Sequence, residues 1–300
     1  MDRKLDWEIR AISNDDRSGA AEIALRTVGA VEQWLKRCPK PTKNQLLGLT
    51  CHLLQTHVAM APMTRLANAV ALAAEAQDPA LQLKGSCQEF RRILRTAPRA
   101  IATQFKKALG KGPRKLAVTY SYSSTVLRAL IHSRGRLWGV ACAEGRPAYE
   151  GREMARRLAK AGIRVFLSTD AGIFGSLVAP EDSYAVLVLG ADQIGGQGFV
   201  NKAGTQALLS FARDQRAPIM ILADSMKFVN QRRGGLTIVS RTGKRVWANP
   251  PKGVQVSDHD FCICSYPASV RILTERGWYS KEGVQRKVRK IRFSPWIEKL

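Results

Sequence analysis

Apolar residues recur at every third or fourth position through the first third of the chain. The clearest run is Ala20-Ala-Glu-Ile-Ala-Leu-Arg-Thr-Val-Gly-Ala-Val-Glu-Gln-Trp-Leu35. That spacing predicts an amphipathic helix, and Pro39 and Pro41 end it. Further helices are expected over 44–57, 66–76 and 87–109, the last with basic residues on its polar face. Gly110-Lys-Gly-Pro113 breaks the pattern and is the expected domain boundary. Beyond it the period changes. Short apolar runs at 115–120, 137–143, 164–168, 186–189 and 218–223 alternate with helical patterns at 123–134, 149–161 and 204–215. Such alternation predicts an α/β fold, a mostly parallel sheet with helices on both faces. The expected organisation is a helical N-terminal domain over 1–112 and a sheet domain over 113–300 that ends in a basic extension.

Ligands of parallel sheets lie outside the carboxyl ends of the strands. Ser121, Glu144, Asp170, Asp192 and Asp224 all fall at such ends. The stretch from Val186 to Thr205 is the most informative: a buried strand, Asp192, a glycine-rich loop, then Asn201-Lys202 at the expected start of a helix. Asp192 is either a general acid/base or the cap of the following turn. Gly195, Gly196 and Gly198 match neither a Walker nor a dinucleotide fingerprint. A lysine at a helix N-terminus opposes the helix dipole, which favours an anionic ligand between the two. The combination points to a sugar-phosphate or nucleotide site. Among the hydroxyls of Thr119-Tyr-Ser-Tyr-Ser-Ser124, Ser123 or Ser124 is expected to cap the next helix. No Gly-x-Ser-x-Gly elbow is present, which argues against a hydrolase serine. Arg146 either binds phosphate or pairs with Glu150, and His57 is either packed or part of the site.

Composition adds one fact and removes several classes. The chain has 300 residues, 45% of them hydrophobic, enough for a real core. Its formal net charge of +24 is concentrated over 91–115 and 232–292. Such fields attract polyanions: RNA, an acidic protein partner or a phosphorylated metabolite. A solvated basic surface is the plain alternative, since no RNA-binding motif accompanies the charge. Without a long uncharged apolar run or a signal-peptide core, the chain is expected to be intracellular and cytoplasmic, with no membrane contact. The cysteines at 38, 51, 87, 142, 262 and 264 lack paired metal-ligand spacing, so reduced thiols, no metal and no cofactor are expected.

Several motifs in fixed order carry a resemblance. Gly190-Ala-Asp192 followed by Asn201-Lys-Ala-Gly-Thr205 is one. Thr119-Tyr-Ser-Tyr-Ser-Ser-Thr-Val-Leu-Arg128, Glu144-Gly-Arg-Pro-Ala-Tyr-Glu-Gly151, Asp224-Ser-Met-Lys-Phe228 and Leu273-Thr-Glu-Arg-Gly277 are the others. Together they resemble the alpha, beta and delta subunits of initiation factor 2B and the related methylthioribose-1-phosphate and ribose-1,5-bisphosphate isomerases. The resemblance implies a Rossmann-like sheet domain after the helical one, and a homodimer or larger assembly. It also implies a pocket for a phosphorylated sugar or nucleoside monophosphate. Asp192 matches the proton-moving aspartate of the isomerases, and Asn201 and Lys202 match substrate- and phosphate-binding positions. Arg17 and His57 stand near the positions of two N-terminal arginines. Ser121 stands where an isomerase has its catalytic cysteine, and a hydroxyl is a far weaker acid than a thiol. The expected function is therefore an initiation-factor-2B-like protein that binds its sugar phosphate or nucleotide in a regulatory role. An aldose–ketose isomerase of a phosphorylated pentose, or a nucleic-acid-associated protein, are the alternatives.

Overall fold

The computed structural model describes residues 2–15, 19–57, 59–178, 185–230, 236–238 and 241–299. Five helices come first: α1 (Arg3–Ser13), α2 (Ala20–Arg37), α3 (Lys43–Gln55), α4 (Ala61–Ala73) and α5 (Pro79–Ala108). Their ends follow local chemistry. The Thr42 hydroxyl accepts from the Gln45 amide, and the Gln45 side chain accepts from the Thr42 amide at 2.8 Å, a reciprocal capping box at α3. Asp78 accepts from the Leu81 amide at 3.0 Å, and Pro79 opens α5 with a φ already suited to a helix. Ile23, Val28, Val31 and Trp34 bury the inner stripe of α2.

The remainder is built on a sheet. In chain order the elements are β1 (Lys115–Thr119), α6 (Ser124–His132), β2 (Leu137–Ala143), α7 (Glu150–Lys160), β3 (Val165–Ser168), β4 (Ala185–Leu189), β5 (Gln193–Ile194), β6 (Gly198–Lys202), α8 (Thr205–Asp214) and β7 (Ile219–Leu222). Then follow β8 (Arg241–Thr242), β9 (Ser257–Asp258), β10 (Phe261–Ser265), β11 (Arg271–Thr274), β12 (Gly277–Tyr279) and α9 (Lys281–Arg289). The main sheet runs β12-β11-β7-β4-β1-β2-β3 and is parallel except for β12. The chain winds outward from β1 to β3, then returns to place β4 on the other side of β1. The strand order therefore reverses between β1 and β4, and the crevice beyond their carboxyl ends is the natural ligand site. Ser121 and Asp192 follow those two ends.

Both faces of the sheet are covered. One core joins the N-terminal helices to α6, α7 and the sheet face presented by Ala117, Val140, Val186 and Leu222. The other packs α8 and α9 against Leu116, Val118, Leu187, Leu189 and Ile221. Near-continuous apolar strands such as 185–189 are what two-sided burial requires. Among the described residues no helix is long and apolar enough to cross a membrane.

The stretch read as a glycine-rich loop is a hairpin. β5 and β6 pair antiparallel, and β10 pairs on the far side of β6. The Gly195 amide donates to the Gly198 carbonyl at 2.8 Å, and the Tyr266 hydroxyl lies 2.8 Å from the Gly195 and Gly198 carbonyls. Lys202 is accordingly the last residue of a strand, and Gly204, at φ 95°, makes the turn into α8.

Two glycines separate close approach from mere tolerance. A Cβ at Gly151 would stand 1.8 Å from the Ala143 carbonyl oxygen, where α7 meets the end of β2. Gly151→Ala should lose about 2 kcal/mol or more in urea unfolding. Gly85, exposed within α5 with nothing within 4 Å of its Cβ, should gain about 1 kcal/mol as Gly85→Ala. Equal effects at the two positions would contradict this packing.

Candidate functional site

A cavity of about 220 Å³ opens beyond β1 and β4. Two helix N-termini form part of its wall, Gly19 to Ala21 at the start of α2 and Ser123 to Thr125 at the start of α6. Ser123 caps α6 by accepting from the Val126 amide at 3.3 Å, while the Gly19 cap of α2 brings no side chain. Amides at such ends carry partial positive charge and suit an anion.

The charged wall centres on Lys202. Its side chain is 2% exposed. The ammonium lies 2.8 Å from Glu150 Oε1 and 3.4 Å from Asp260 Oδ1. Glu150 arrives from the first turn of α7 and Asp260 from the turn between β9 and β10. Arg245 reaches Asp260 with one guanidinium nitrogen and Asp258 with another, the latter at 3.3 Å. Asn201, buried beside Lys202, donates to the Thr205 hydroxyl at 3.0 Å, and that hydroxyl donates to the Lys202 carbonyl at 2.6 Å. These bonds fix the turn from β6 into α8.

Ser121 sits opposite. Its φ of 70° is the left-handed region, uncommon for a serine. Its hydroxyl donates to Glu150 Oε1 at 3.1 Å, the oxygen that also meets Lys202. Asp192 lines the cavity, with its carboxylate 3.7 Å from the Lys227 ammonium. Asp224 is buried on the same side and accepts from the Met226 amide at 3.0 Å. Burial raises its carboxyl above the ordinary value, with Lys227 pulling the other way.

The structure thus brings together Ser121, Asp192, Asn201 and Lys202. Arg146 is elsewhere: its backbone amide donates to Asp170 at 2.7 Å, and its exposed guanidinium lies against Tyr149. Glu150 pairs with Lys202 instead of Arg146. His57 lies past the end of α3 at φ 49°, with Nε2 2.8 Å from the Ile12 carbonyl, so this ring nitrogen donates into the helical region. Arg17 lies outside the described residues. Of the other strand-end acids, Glu144 binds Arg152 at 2.8 Å, and Asp170 accepts from the amides of Gly145 and Arg146.

The Initiation factor 2 subunit family model matches residues 16–246, more than half of the chain. The chain belongs to that family. A putative translation initiation factor eIF-2B subunit 2-like protein of Pyrococcus horikoshii is 34% identical over 149 residues, 49% of this chain and 52% of that protein. The ribose 1,5-bisphosphate isomerase of Archaeoglobus fulgidus is 30% identical over 144 residues, 47% of this chain and 44% of that protein. The chain spans about half the length of the curated relatives it matches. The crystal structure of the Pyrococcus horikoshii translation initiation factor eIF-2B superposes with a TM-score of 0.71 at 23% identity, covering 93% of this chain and 98% of that one. At that identity the likeness shows the fold alone.

Sequence reasoning had not singled out Glu150, Lys227, Arg245 or Asp260 for the site. Glu150 and Lys227 stand inside the family-like segments 144–151 and 224–228, and that was a usable signal. Arg245 and Asp260 come from a stretch with neither period nor motif.

A thiol stands behind the Lys202 wall. The half-buried Cys262 Sγ lies 3.4 Å from Cys264 Sγ and 3.4 Å from the Lys202 carbonyl oxygen. A hydrogen bond from Cys264, and then the amides of Gln206, Thr205 and Gly204 at the start of α8, hold Cys262 below the ordinary thiol value against burial, which raises it. As a thiolate it loses the bond to the Lys202 carbonyl and keeps the others. Burial instead raises Cys87 and Cys142 to about 12. Alkylation needs the thiolate. Iodoacetamide labelling of Cys262 should therefore rise at a pH below the ordinary thiol value and already be level at neutral pH, with Cys87 and Cys142 unlabelled at neutral pH. Cys264→Ala should move the midpoint upward. Mass spectrometry reads both, and a wild-type midpoint at the ordinary thiol value would refute the thiolate.

Proposed function

We propose that this cavity holds a phosphorylated pentose or a nucleoside monophosphate, in a binding or regulatory role. Ser121 is the observation that carries the proposal. In the isomerases that this chain resembles, a cysteine stands there. Here a hydroxyl donates to Glu150, whose accepting oxygen already holds the Lys202 ammonium. That oxygen is already engaged, and an unassisted hydroxyl gives up its proton far less readily than a thiol with a pKa of about 8.5. The wall therefore suits recognition of sugar hydroxyls better than proton transfer. The α2 and α6 N-termini and Lys227 supply positive potential for a phosphate. Asp192 supports a second reading, aldose–ketose isomerisation with the carboxylate as acid/base.

Differential scanning fluorimetry with ribose 1,5-bisphosphate and 5-methylthioribose 1-phosphate separates the two. A ligand at a hundred times its Kd stabilises by about 2.7 kcal/mol, so a rise in melting midpoint of several degrees is expected. Lys227→Ala, which leaves the buried Lys202 cluster intact, should abolish it. NMR of the same mixtures should show no ketose. No shift with any sugar phosphate refutes the pocket, and turnover that disappears in Asp192→Asn refutes the binding-only role. Assembly as a homodimer or larger oligomer belongs to the same proposal, and a monomer in sedimentation velocity at micromolar concentration would refute it.

A further inference from the structure

A second and larger cavity, about 840 Å³, lies between α4, α5 and the segment that follows β11. Its two sides differ in chemistry. Leu72, Leu81 and Phe90 give an apolar side, with Leu81 left 67% exposed at the rim. Arg65, Arg276, Lys287, Lys290 and Arg292 give a cationic side. The carboxylates that line the cavity are otherwise engaged: Asp78 caps α5, and Glu89 holds Arg92 and lies 3.8 Å from Arg276. Among the described residues Arg65, Lys287, Lys290 and Arg292 form no ion pair. Burial and the charge of Arg276 lower Arg65, with Asp224 pulling the other way; burial, Arg276 and then Arg65 lower Lys287, with Glu275 pulling the other way. Arg276, Lys290 and Arg292 are exposed, Arg65 and Lys287 half-buried, and their like charges repel one another, a cost that a bound anion reduces. The Ser225 hydroxyl gives a separate sign. Ser225 lines the cavity and is 5% exposed, and its Oγ has no hydrogen-bond partner. A buried hydroxyl without a partner is expensive.

We infer that this cavity is a site for a nucleoside polyphosphate, its base on the apolar side and its phosphates between Ser225, Arg276, Lys287 of α9 and Lys290 just beyond it. The volume is of the size that small-ligand pockets have, and an apolar face opposite a polycation matches a molecule with an aromatic ring at one end and several charges at the other.

Titration calorimetry with ATP on the full chain at fixed ionic strength tests the assignment. ATP should bind at least tenfold more tightly than adenosine or pyrophosphate, since each covers one side only. Lys287→Ala/Lys290→Ala, a half-buried position in the last turn of α9 and an exposed one just beyond it, whose truncation spares the core, should weaken ATP at least tenfold. Ser225→Ala should weaken it severalfold, and Lys227→Ala in the first cavity should leave it unchanged. Absence of ATP binding overturns the assignment. So does binding that Lys227→Ala abolishes and the double variant spares, which would put the nucleotide in the first cavity. Equal affinity for pyrophosphate removes the role of the base. A single-stranded RNA oligomer that binds more tightly than ATP through the same lysines would make the groove a nucleic-acid contact instead.

Discussion

An ammonium sealed from water must be surrounded by anions, and Lys202 sets that requirement for the whole site. Removing such a charge from water costs several kcal/mol unless partners replace the solvent. Glu150, at the N-terminus of α7, and Asp260, between β9 and β10, meet it. Because those partners come from distant parts of the sequence, a single buried cation ties α7, the β5–β6 hairpin and the β9–β10 turn together. Arg245 extends the chain of charges by holding Asp260 and Asp258. Ser121 then borrows the same Glu150 oxygen. The serine hydroxyl is thus part of an electrostatic network in which Glu150 Oε2 and Asp258 Oδ1 are buried without a hydrogen-bond partner, and a ligand entering the cavity must compete with that network or complete it.

Much of this could be read from the residues. Strands buried on two sides leave continuous apolar runs, and the helices between them leave a 3.6-residue period, so β1, β2, β4 and β7 were readable as strands. The fold class carried the strand-end residues with it, because a parallel sheet puts ligands at its carboxyl ends. Ser121, Asp192 and Asp224 follow that rule. Glu144 and Asp170 occupy equivalent places and instead hold Arg152 and the amides of Gly145 and Arg146. The rule names the end of the sheet; which acid turns toward the cavity depends on which backbone amides need an acceptor.

What was hidden has a common cause. The glycine-rich stretch read as a loop because glycine and glutamine carry no strand period, yet its hydrogen bonds are satisfied by the hairpin, by β10 and by the Tyr266 hydroxyl. Pairing between segments sixty residues apart leaves no local mark. The same holds for Asp260 and Arg245. Arg146 was a reasonable phosphate ligand by type and position, but the chain turns it onto the Tyr149 ring, where an arginine stacks well. His57 occupies a left-handed turn and gives a nitrogen to the Ile12 carbonyl, a packing role that sequence spacing does not encode.

Net charge is where composition and structure meet least simply. A formal +24 suggests a uniform attraction for polyanions. The two cavities divide that charge unequally. In the first, Lys202, Lys227 and Arg245 face Glu150, Asp192, Asp258 and Asp260, so each cation is matched and positive potential comes in large part from the ends of α2 and α6. In the second, Arg65, Lys287, Lys290 and Arg292 converge with no ion-pair partner among the described residues, though Asp224 and Glu275 lie near enough to act on Arg65 and Lys287. A matched cluster selects by shape and hydrogen bonding, because an incoming anion gains little from charge alone. An unmatched cluster attracts first and selects afterwards. Ser225 and Met226 border the second cavity while Asp224 and Lys227 border the first, so four consecutive residues separate a cavity whose cations are paired from one whose cations converge unpaired among the described residues.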